Sequence, residues 1–436
     1  MNGQAAFLFE DVSMNVFRRW LVMTSLCLSG GIIYFLPFLF DTYYIPLQEA
    51  LGVTNTQLGS LMSVFGITSL ISYFPGGWLA DRVSPRKLIT VACVSTGIAG
   101  FYFATFPSYG VCLALHAFWG VTITLTFWSA MIKATRDWAP ADRQGRAFGI
   151  LEGGRGMTEA LAASIVLWVF AMLGEGKLGM AWVIILFSSL NILIGVLTWF
   201  ALEDSTQSSS DGRDQIKLSD IIKVLKMPVV WLISVVIFTA YCASWGLEYY
   251  TPYAMEGFGM SVVLWGTIGI AIHWFKPLIA AGSGFLADRV GISRLLACAF
   301  LVLTVSFAVS AAIPGSPDLI LMMVVNVTIG CFAIYACRST YFALLEEGNI
   351  PLALTGTAVG IISVVGYAPD IFMPLLGGVL LDRYPGAPGY RYLFLFVTGM
   401  CVLGLLATLI IMRQSVKQQR TTDDSKDNSI SSRRDD

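Results

Sequence analysis

Apolar side chains in this chain fall in long unbroken runs separated by short polar punctuation. They do not follow the alternating or one-faced patterns that pack a water-soluble core. The runs cover roughly 20–45, 57–80, 87–106, 110–135, 145–172, 179–201, 228–253, 262–286, 294–313, 318–344, 354–380 and 390–412. Each approaches or exceeds the ~20 residues that a helix needs to cross ~30 Å of hydrocarbon. A backbone surrounded by lipid must satisfy its own hydrogen bonds, so each run is predicted to be an α-helix. They are numbered here as spans 1 to 12. Arg18 and Arg19 precede span 1 and no small-residue cleavage site follows it, so it reads as a retained helix.

The pattern repeats. Gly77-Trp78-Leu79-Ala80-Asp81-Arg82 at the end of span 2 is answered 207 residues later by Gly284-Phe285-Leu286-Ala287-Asp288-Arg289 at the end of span 8. Tyr43-Tyr44-Ile45-Pro46 is answered by Tyr249-Tyr250-Thr251-Pro252, and Gly145-Arg146-Ala147-Phe148-Gly149-Ile150 by Gly356-Thr357-Ala358-Val359-Gly360-Ile361. Three matches in the same order imply a duplicated protein. The expected fold class is therefore an all-α membrane protein with 12 transmembrane helices in two six-helix pseudo-symmetric halves, the layout of a secondary transporter.

The polar stretches divide the chain further. The expected organisation is an N-terminal segment (1–19), a first half (20–201), a central loop (202–227), a second half (228–412) and a disordered polar tail (413–436). Within the loop, residues 216–225 have helical periodicity and basic side chains suited to a membrane surface. Lys and Arg set the orientation. With the N-terminus inside, 21 of the 27 basic residues fall on the inner side, against Lys177, Arg383 and Arg391 outside. Both termini are thus expected to be cytoplasmic, in a bacterial inner membrane.

Composition agrees and excludes. Hydrophobic residues make up 56% of the 436 and charged residues only 13%, about half the charged share of a soluble domain. A net charge of −1 gives no electrostatic support for nucleic-acid binding. The eight cysteines lie in apolar runs without paired spacing, and His116, with little context, reads as a packing residue, so no metal site or cofactor is expected. No nucleophile–base constellation points to an enzyme.

Gly77-x-Leu79-Ala80-Asp81-Arg82-x-x-x-Arg86-Lys87, with its weaker copy at Asp288-Arg289-Val290-Gly291 and Arg294, resembles the loop signature of the major facilitator superfamily. Ser84 stands where that pattern usually has glycine. The resemblance covers 20–412 and implies twelve helices working by alternating access. It also implies a cytoplasmic gate in which Asp81, Arg82, Arg86, Asp288 and Arg289 latch the inner side, each carboxylate favoured beside basic groups and a helix N-terminus. Lys133 and Arg136 precede Asp142-Arg143-Gln144-Gly145, a loop similar to that of the organic-anion branches of the superfamily, the organophosphate antiporters among them. That likeness adds Lys133 and Arg136 to the gate. The arginines of those antiporters on spans 1 and 7 align here with Phe38 and about Ser244, so a two-arginine phosphate clamp is not expected.

Charges inside the spans are the functional candidates, since each costs about 2.5–3.5 kcal/mol or more to insert. Span 5 carries Glu152, Arg155 and Glu159 on one helical face among glycines. Span 8 carries His273 and Lys276, span 10 Arg338, and span 11 Asp370. Arg155, Lys276, Arg338 and His273 are the expected substrate-binding residues, facing one another across a central cavity, with Glu152 and Glu159 carrying a coupling proton. The competing structural reading is an internal Glu152–Arg155 salt bridge. The cargo expected is a small organic anion, a carboxylate, sugar acid or similar, carried with a proton by one chain acting as a monomer in the bilayer. Proton-driven efflux of cationic compounds, and a transporter-like receptor that signals without flux, are the alternatives.

Overall fold

The computed structural model describes residues 16–139, 144–204, 218–348, 350–351 and 354–432, with Asp81 given by its backbone only. Most of the N-terminal segment, Asp142-Arg143 and residues 205–217 of the central loop lie outside the described residues. Helix dominates. In chain order the elements are α1 (Val16–Ile32), α2 (Phe40–Leu51), α3 (Asn55–Arg82), α4 (Pro85–Phe103) and α5 (Tyr109–Thr122). A π-helical stretch (Ile123–Trp128) leads into α6 (Ser129–Trp138), α7 (Gln144–Leu173), α8 (Lys177–Ala201) and the short α9 (Leu218–Leu225). The remainder are α10 (Pro228–Glu248), α11 (Tyr250–Phe258), α12 (Val262–Val290), α13 (Ile292–Ala312), α14 (Ile320–Thr340), α15 (Leu344–Glu347), α16 (Thr355–Gly366), α17 (Pro369–Arg383) and α18 (Ala387–Ser432).

Among the described residues, nine helices are long and apolar enough to cross a membrane, from Tyr109–Trp138 to Ala387–Gln414. With the α1–α2 pair, α3 and α4 before them, this is consistent with the expected twelve. The helices start where the sequence supplies terminators and caps. Thr54 caps α3 in a reciprocal box with Gln57. Pro85, Pro228 and Pro369 open α4, α10 and α17, where a missing N–H costs nothing. Gly291, at φ 93°, makes the tight turn between α12 and α13 that a side chain would strain.

Several spans are broken where sequence periodicity predicts continuous helix. Span 1 divides: α1 ends at Ile32, residues 33–39 form turns, and Tyr43 is non-helical at φ −114°, ψ 37°. Pro37 removes a backbone donor within that stretch, and hydropathy alone does not register this. Span 4 contains the π-helical stretch, span 7 breaks at Tyr249 and span 11 at Tyr367-Ala368. Helix α18 continues to Ser432 through the segment that sequence composition reads as a disordered tail. No Gly or Pro interrupts 413–432, so a helix already nucleated in the membrane has no stop signal there.

The chain divides into two compact units. The first comprises Met1–Gly212, Met260–Trp274 and Pro374–Gly378; the second comprises Arg213–Gly259, Phe275–Met373 and Val379–Asp436. The division falls inside the expected central loop, but the first part of span 8 and residues 374–378 group with the first unit. In that unit α4 and α8 cross closely: a Cβ on Gly97 would lie 2.6 Å from the Ser188 carbonyl, and one on Gly195 would lie 2.8 Å from Val94. Small residues at a crossing let dispersion hold helices that lipid gives no hydrophobic reason to associate. The second unit packs instead around aromatic rings, with Tyr250 and Phe394 stacked at 4.8 Å and Phe307 alongside. Large apolar side chains such as Phe200, Phe285 and Leu321 remain more than 70% exposed, the outward belt expected of a surface that lipid covers.

Candidate functional site

The first unit holds Arg155 in the middle of α7. Its Nη1 donates to Glu152 Oε1 at 2.6 Å, one turn back on the same helix, as three-residue spacing allows. The side chain lies against Gly30 of α1, where a Cβ would come within 2.7 Å of Arg155 Cδ, while Gly31 faces the Arg155 carbonyl and Thr158. The guanidinium carbon stands 5.6 Å from the Trp128 ring, in the π-helical stretch. A π-turn offsets the helix register by one residue, which aims Trp128 differently from a regular α-helix. Arg155 Nε is buried without a hydrogen-bond partner. Glu152 is more exposed than its partner, at 63% against 18% of side-chain surface. The pair is therefore one-sided: a carboxylate open to solvent fastens a cation that keeps an unfilled donor. Glu159, two turns on, is half-buried without an ion pair among the described residues.

The second unit holds Arg338 in the last turn of α14. Its partners are neutral hydroxyls, Ser244 Oγ at 3.2 Å and Tyr241 OH at 3.4 Å, both on α10. The guanidinium also stands 5.0 Å from the Tyr241 ring, which in turn stacks on Tyr367 at 4.6 Å. Among the described residues no carboxylate comes within ion-pair distance of it. Ser244 is about the position that matches an arginine in the organophosphate antiporters, so here the cation reaches that place from α14. Asp370, at the start of α17, accepts a hydrogen bond from Trp245 Nε1 at 2.7 Å. Arg338, Tyr341, Tyr367 and Asp370 are electrostatic neighbours in this cluster.

Of the α12 candidates, Lys276 is half-buried with Nζ 6.0 Å from the Tyr335 ring. His273 is exposed, its Nδ1 3.0 Å from the Gly269 carbonyl oxygen. The two fall in different compact units, His273 in the first and Lys276 in the second. His116 is packed, with Nδ1 2.8 Å from the Cys112 carbonyl and rings of Phe103 and Trp119 around it.

At the ends of α3 and α12 lie the signature loops, of which the Asp81 side chain is outside the described residues. Lys133 Nζ donates to the Ala80 carbonyl at 2.8 Å, covering an orphan acceptor at the C-terminus of α3. Arg82 turns back onto Trp78, donating to its carbonyl at 3.2 Å and lying 4.1 Å from its ring. Arg86 lies 4.1 Å over Trp199, and Arg136 is exposed. The acid that the structure places at the start of α4 is one the sequence reading missed, Asp204, just past α8. It accepts from Ser84 Oγ at 2.5 Å and lies 3.7 Å from Lys87 and 3.9 Å from Arg86. The Ser84 hydrogen bond, then the Lys87 and Arg86 charges, hold its carboxyl below the usual carboxylate range. Neighbouring Glu203 pairs with Arg18. Ser84, a departure from the signature, is thus the residue that fastens Asp204. In the second unit Asp288 and Arg289 are exposed, and Glu347 takes the corresponding place. It accepts from Ser293 N at 2.9 Å and Ser293 Oγ at 2.5 Å at the start of α13.

A family profile described as Major Facilitator Superfamily matches residues 20–372. The chain belongs to the Major Facilitator Superfamily. It is an integral, multi-pass membrane transporter and not an enzyme. Inner membrane protein YqcE of Escherichia coli (strain K12) is 32% identical over 400 residues, covering 90% of this chain and 94% of that one. A probable sulfoacetate transporter, SauU, of Cupriavidus necator is 24% identical, covering 84% and 87% respectively. Among solved structures, a bacterial homolog of the human lysosomal transporter Spinster, inward-facing and unoccupied, superposes with a TM-score of 0.72 at 14% identity, covering 93% of this chain and 99% of that one. At that identity the likeness speaks for the superfamily fold alone.

Within this superfamily member, Asp204 and Glu347 carried a weak sequence signal: each is an acid within three residues of a span's end, where only basic residues help topology. Tyr241 carried none, because an aromatic in an apolar run is indistinguishable from packing until its neighbours are known.

Proposed function

We propose that this transporter is a secondary carrier of a small organic anion, a carboxylate, sugar acid or sulfonate, moved with a proton by alternating access in a bacterial inner membrane. One observation carries the reading: among the described residues, Arg338 sits within a spanning helix with hydroxyl hydrogen-bond partners and an aromatic face but no ion-pair partner. It lies in the last turn of α14, inside the stretch Pro317–Glu347 that is long and apolar enough to cross a membrane. Hydrogen bonds from an ionised donor contribute about 1.5–3 kcal/mol at good geometry, but these two are long, at 3.2 and 3.4 Å, and neither partner supplies a counter-charge. The imbalance fits a cation kept for an anion that arrives from outside. Relatives named for transport of D-galactonate and of hexuronate, at 22% and 23% identity, support the cargo class, as does the sulfoacetate relative.

In this proposal Arg338 of the second unit supplies positive charge to the anion, with Lys276 in the same unit; Arg155 and His273 are the substrate-binding candidates of the first unit. Glu152 or Glu159 carries a proton in the first unit. Asp81, Arg82, Arg86, Lys133, Arg136, Asp288 and Arg289 act at the inner gate, with both termini cytoplasmic. The test uses the purified full-length chain. D-galactonate, D-glucuronate and sulfoacetate are screened by thermal shift, where saturation to 100 Kd stabilises by about 2.7 kcal/mol. Uptake into proteoliposomes is then measured. Stabilisation and uptake with at least one of the three, lost in R338Q, is the expected result. No response to any of them, with transport of a lipophilic cation instead, would overturn the anion reading.

A further inference from the structure

In the second unit, the acid nearest to the cluster around Arg338 is held in a way that suits titration more than ion pairing. Asp370 Oδ1 accepts the Trp245 indole N–H at 2.7 Å, and Trp245 is itself buried at 6% exposure. That bond comes from a neutral donor and survives protonation of the other carboxyl oxygen. Arg338 is an electrostatic neighbour of Asp370 but not an ion-pair partner, and its own hydrogen bonds go to Ser244 and Tyr241. The other titratable groups facing Asp370 are Tyr241 and Cys242 of α10 and Tyr367 before α17. Tyr341, which follows α14, faces Arg338 in the same cluster. None of these is a second cation, so among the described residues the cluster pairs one guanidinium, Arg338, with one carboxyl, Asp370.

We propose that Asp370 is a proton carrier of the second unit, and that its protonation leaves Arg338 uncompensated and ready to bind the anion. The inference rests on the anion reading above and names the group that couples the ion to it. With Asp370 ionised, the cluster is close to neutral and an anion gains little by entering. A proton taken from water at one membrane face onto the free carboxyl oxygen makes the cluster net positive, and the anion then binds at Arg338. At the other face the anion leaves, and Asp370 returns the proton to water. One proton accompanies each monovalent anion, and no net charge is added to the cluster during the crossing. Glu152 is less suited to this task because Arg155 already holds it at 2.6 Å. A buried charge in a membrane is most economically moved when the site alternates between neutral and singly charged states.

Two measurements on the full-length protein in lipid test this. The first needs no substrate: pH-difference infrared spectra of proteoliposomes. The wild type should show a protonated-carboxyl band that D370N removes and whose midpoint R338Q moves to higher pH, because loss of the cation disfavours the carboxylate. W245F removes the donor to the carboxylate and should raise the same midpoint, which keeps the test informative if D370N fails to fold. A D370N spectrum identical to the wild type, or an unmoved midpoint in both W245F and R338Q, overturns the proposal. The second measures uptake of labelled D-galactonate, D-glucuronate and sulfoacetate with and without an inward proton gradient. D370N should lose about tenfold in gradient-driven accumulation, the equivalent of about one pH unit, and its residual exchange should become independent of pH. Wild-type accumulation by D370N would overturn the proposal. If the wild type takes up none of the three probes, the anion reading fails on its own, and the infrared result still decides whether Asp370 titrates.

Discussion

Arg155 and Arg338 are both arginines embedded in spanning helices, yet they keep different company. Arg155 is fastened at 2.6 Å to a carboxylate on its own helix, close against glycines of α1. Arg338 meets only hydroxyls and an aromatic face, with its nearest acid, Asp370, tied to an indole. The first arrangement largely cancels its own charge, so it positions more than it attracts. The second has no carboxylate at ion-pair distance among the described residues, so its compensation depends on whether the separate Asp370 is ionised. The lesson is that a charged residue in a span is not yet a binding residue. What matters is whether the neighbouring acid sits on the same helix at ion-pair distance or stands apart on another.

Substitutions can break or sharpen this contrast. The largest effect is expected from R338Q, which should lower anion uptake about 30-fold or more, about 2 kcal/mol, in line with removing one partner of a desolvated charge contact. R155Q should cost clearly less in the same proteoliposome assay; equal losses would show that the Glu152 pair does not attenuate Arg155. Next comes G31A. Its new Cβ would lie 2.7 Å from the Arg155 carbonyl oxygen and from Thr158 Cβ, and overpacking of that kind costs about 1–3 kcal/mol. A fall in the melting temperature of the purified protein checks it, and an unchanged melt would mean that α1 yields easily around Arg155.

Smaller effects test how each unit fastens the helix that follows its signature loop. The first unit uses Asp204, from beyond α8, and the second uses Glu347, from beyond α14, so equivalent helix starts are held by acids from non-equivalent elements. Asp204 has a depressed pKa in the folded protein, so its ionised form stabilises the fold above the ordinary carboxylate range. That contribution fades as pH falls through the depressed value. D204N should therefore melt lower than the wild type at pH near 7, and the difference should close in acid. A gap that persists in strong acid would mean that geometry rather than charge is responsible. The smallest change is expected from S84G, which restores the residue usual in the signature. It removes the one hydrogen bond from Ser84 to Asp204, and a melt indistinguishable from D204N would show that Ser84 alone holds the acid.

Much of the fold was legible in the residues. Apolar run length marks the spans, because hydrocarbon imposes one thickness and one way of satisfying the backbone. The repeated Gly–x–Leu–Ala–Asp–Arg hexapeptides mark the duplication, and Arg155, Lys276 and Arg338 stand out because charge in lipid is costly. The breaks in spans 1, 4, 7 and 11 were less legible, since hydropathy averages over the single residues that interrupt a helix. The Asp204 and Glu347 contacts were not legible at all as pairs: Ser84 and Asp204 are 120 positions apart, and only folding brings them together. The same holds for Trp245 and Asp370, 125 positions apart.

The sequence by itself determined that this protein lives in a membrane, that it is doubled, and which few side chains carry charge into the lipid. These follow from local composition, and the solvent tests every residue for them independently of its neighbours. Only the tertiary structure decided that Arg155 is paired with Glu152, that Arg338 meets hydroxyls and no carboxylate at ion-pair distance among the described residues, and that Asp370 rests on Trp245. Those outcomes depend on distances between helices, and electrostatic energy falls steeply over the few ångströms that separate an ion pair from a mere neighbour.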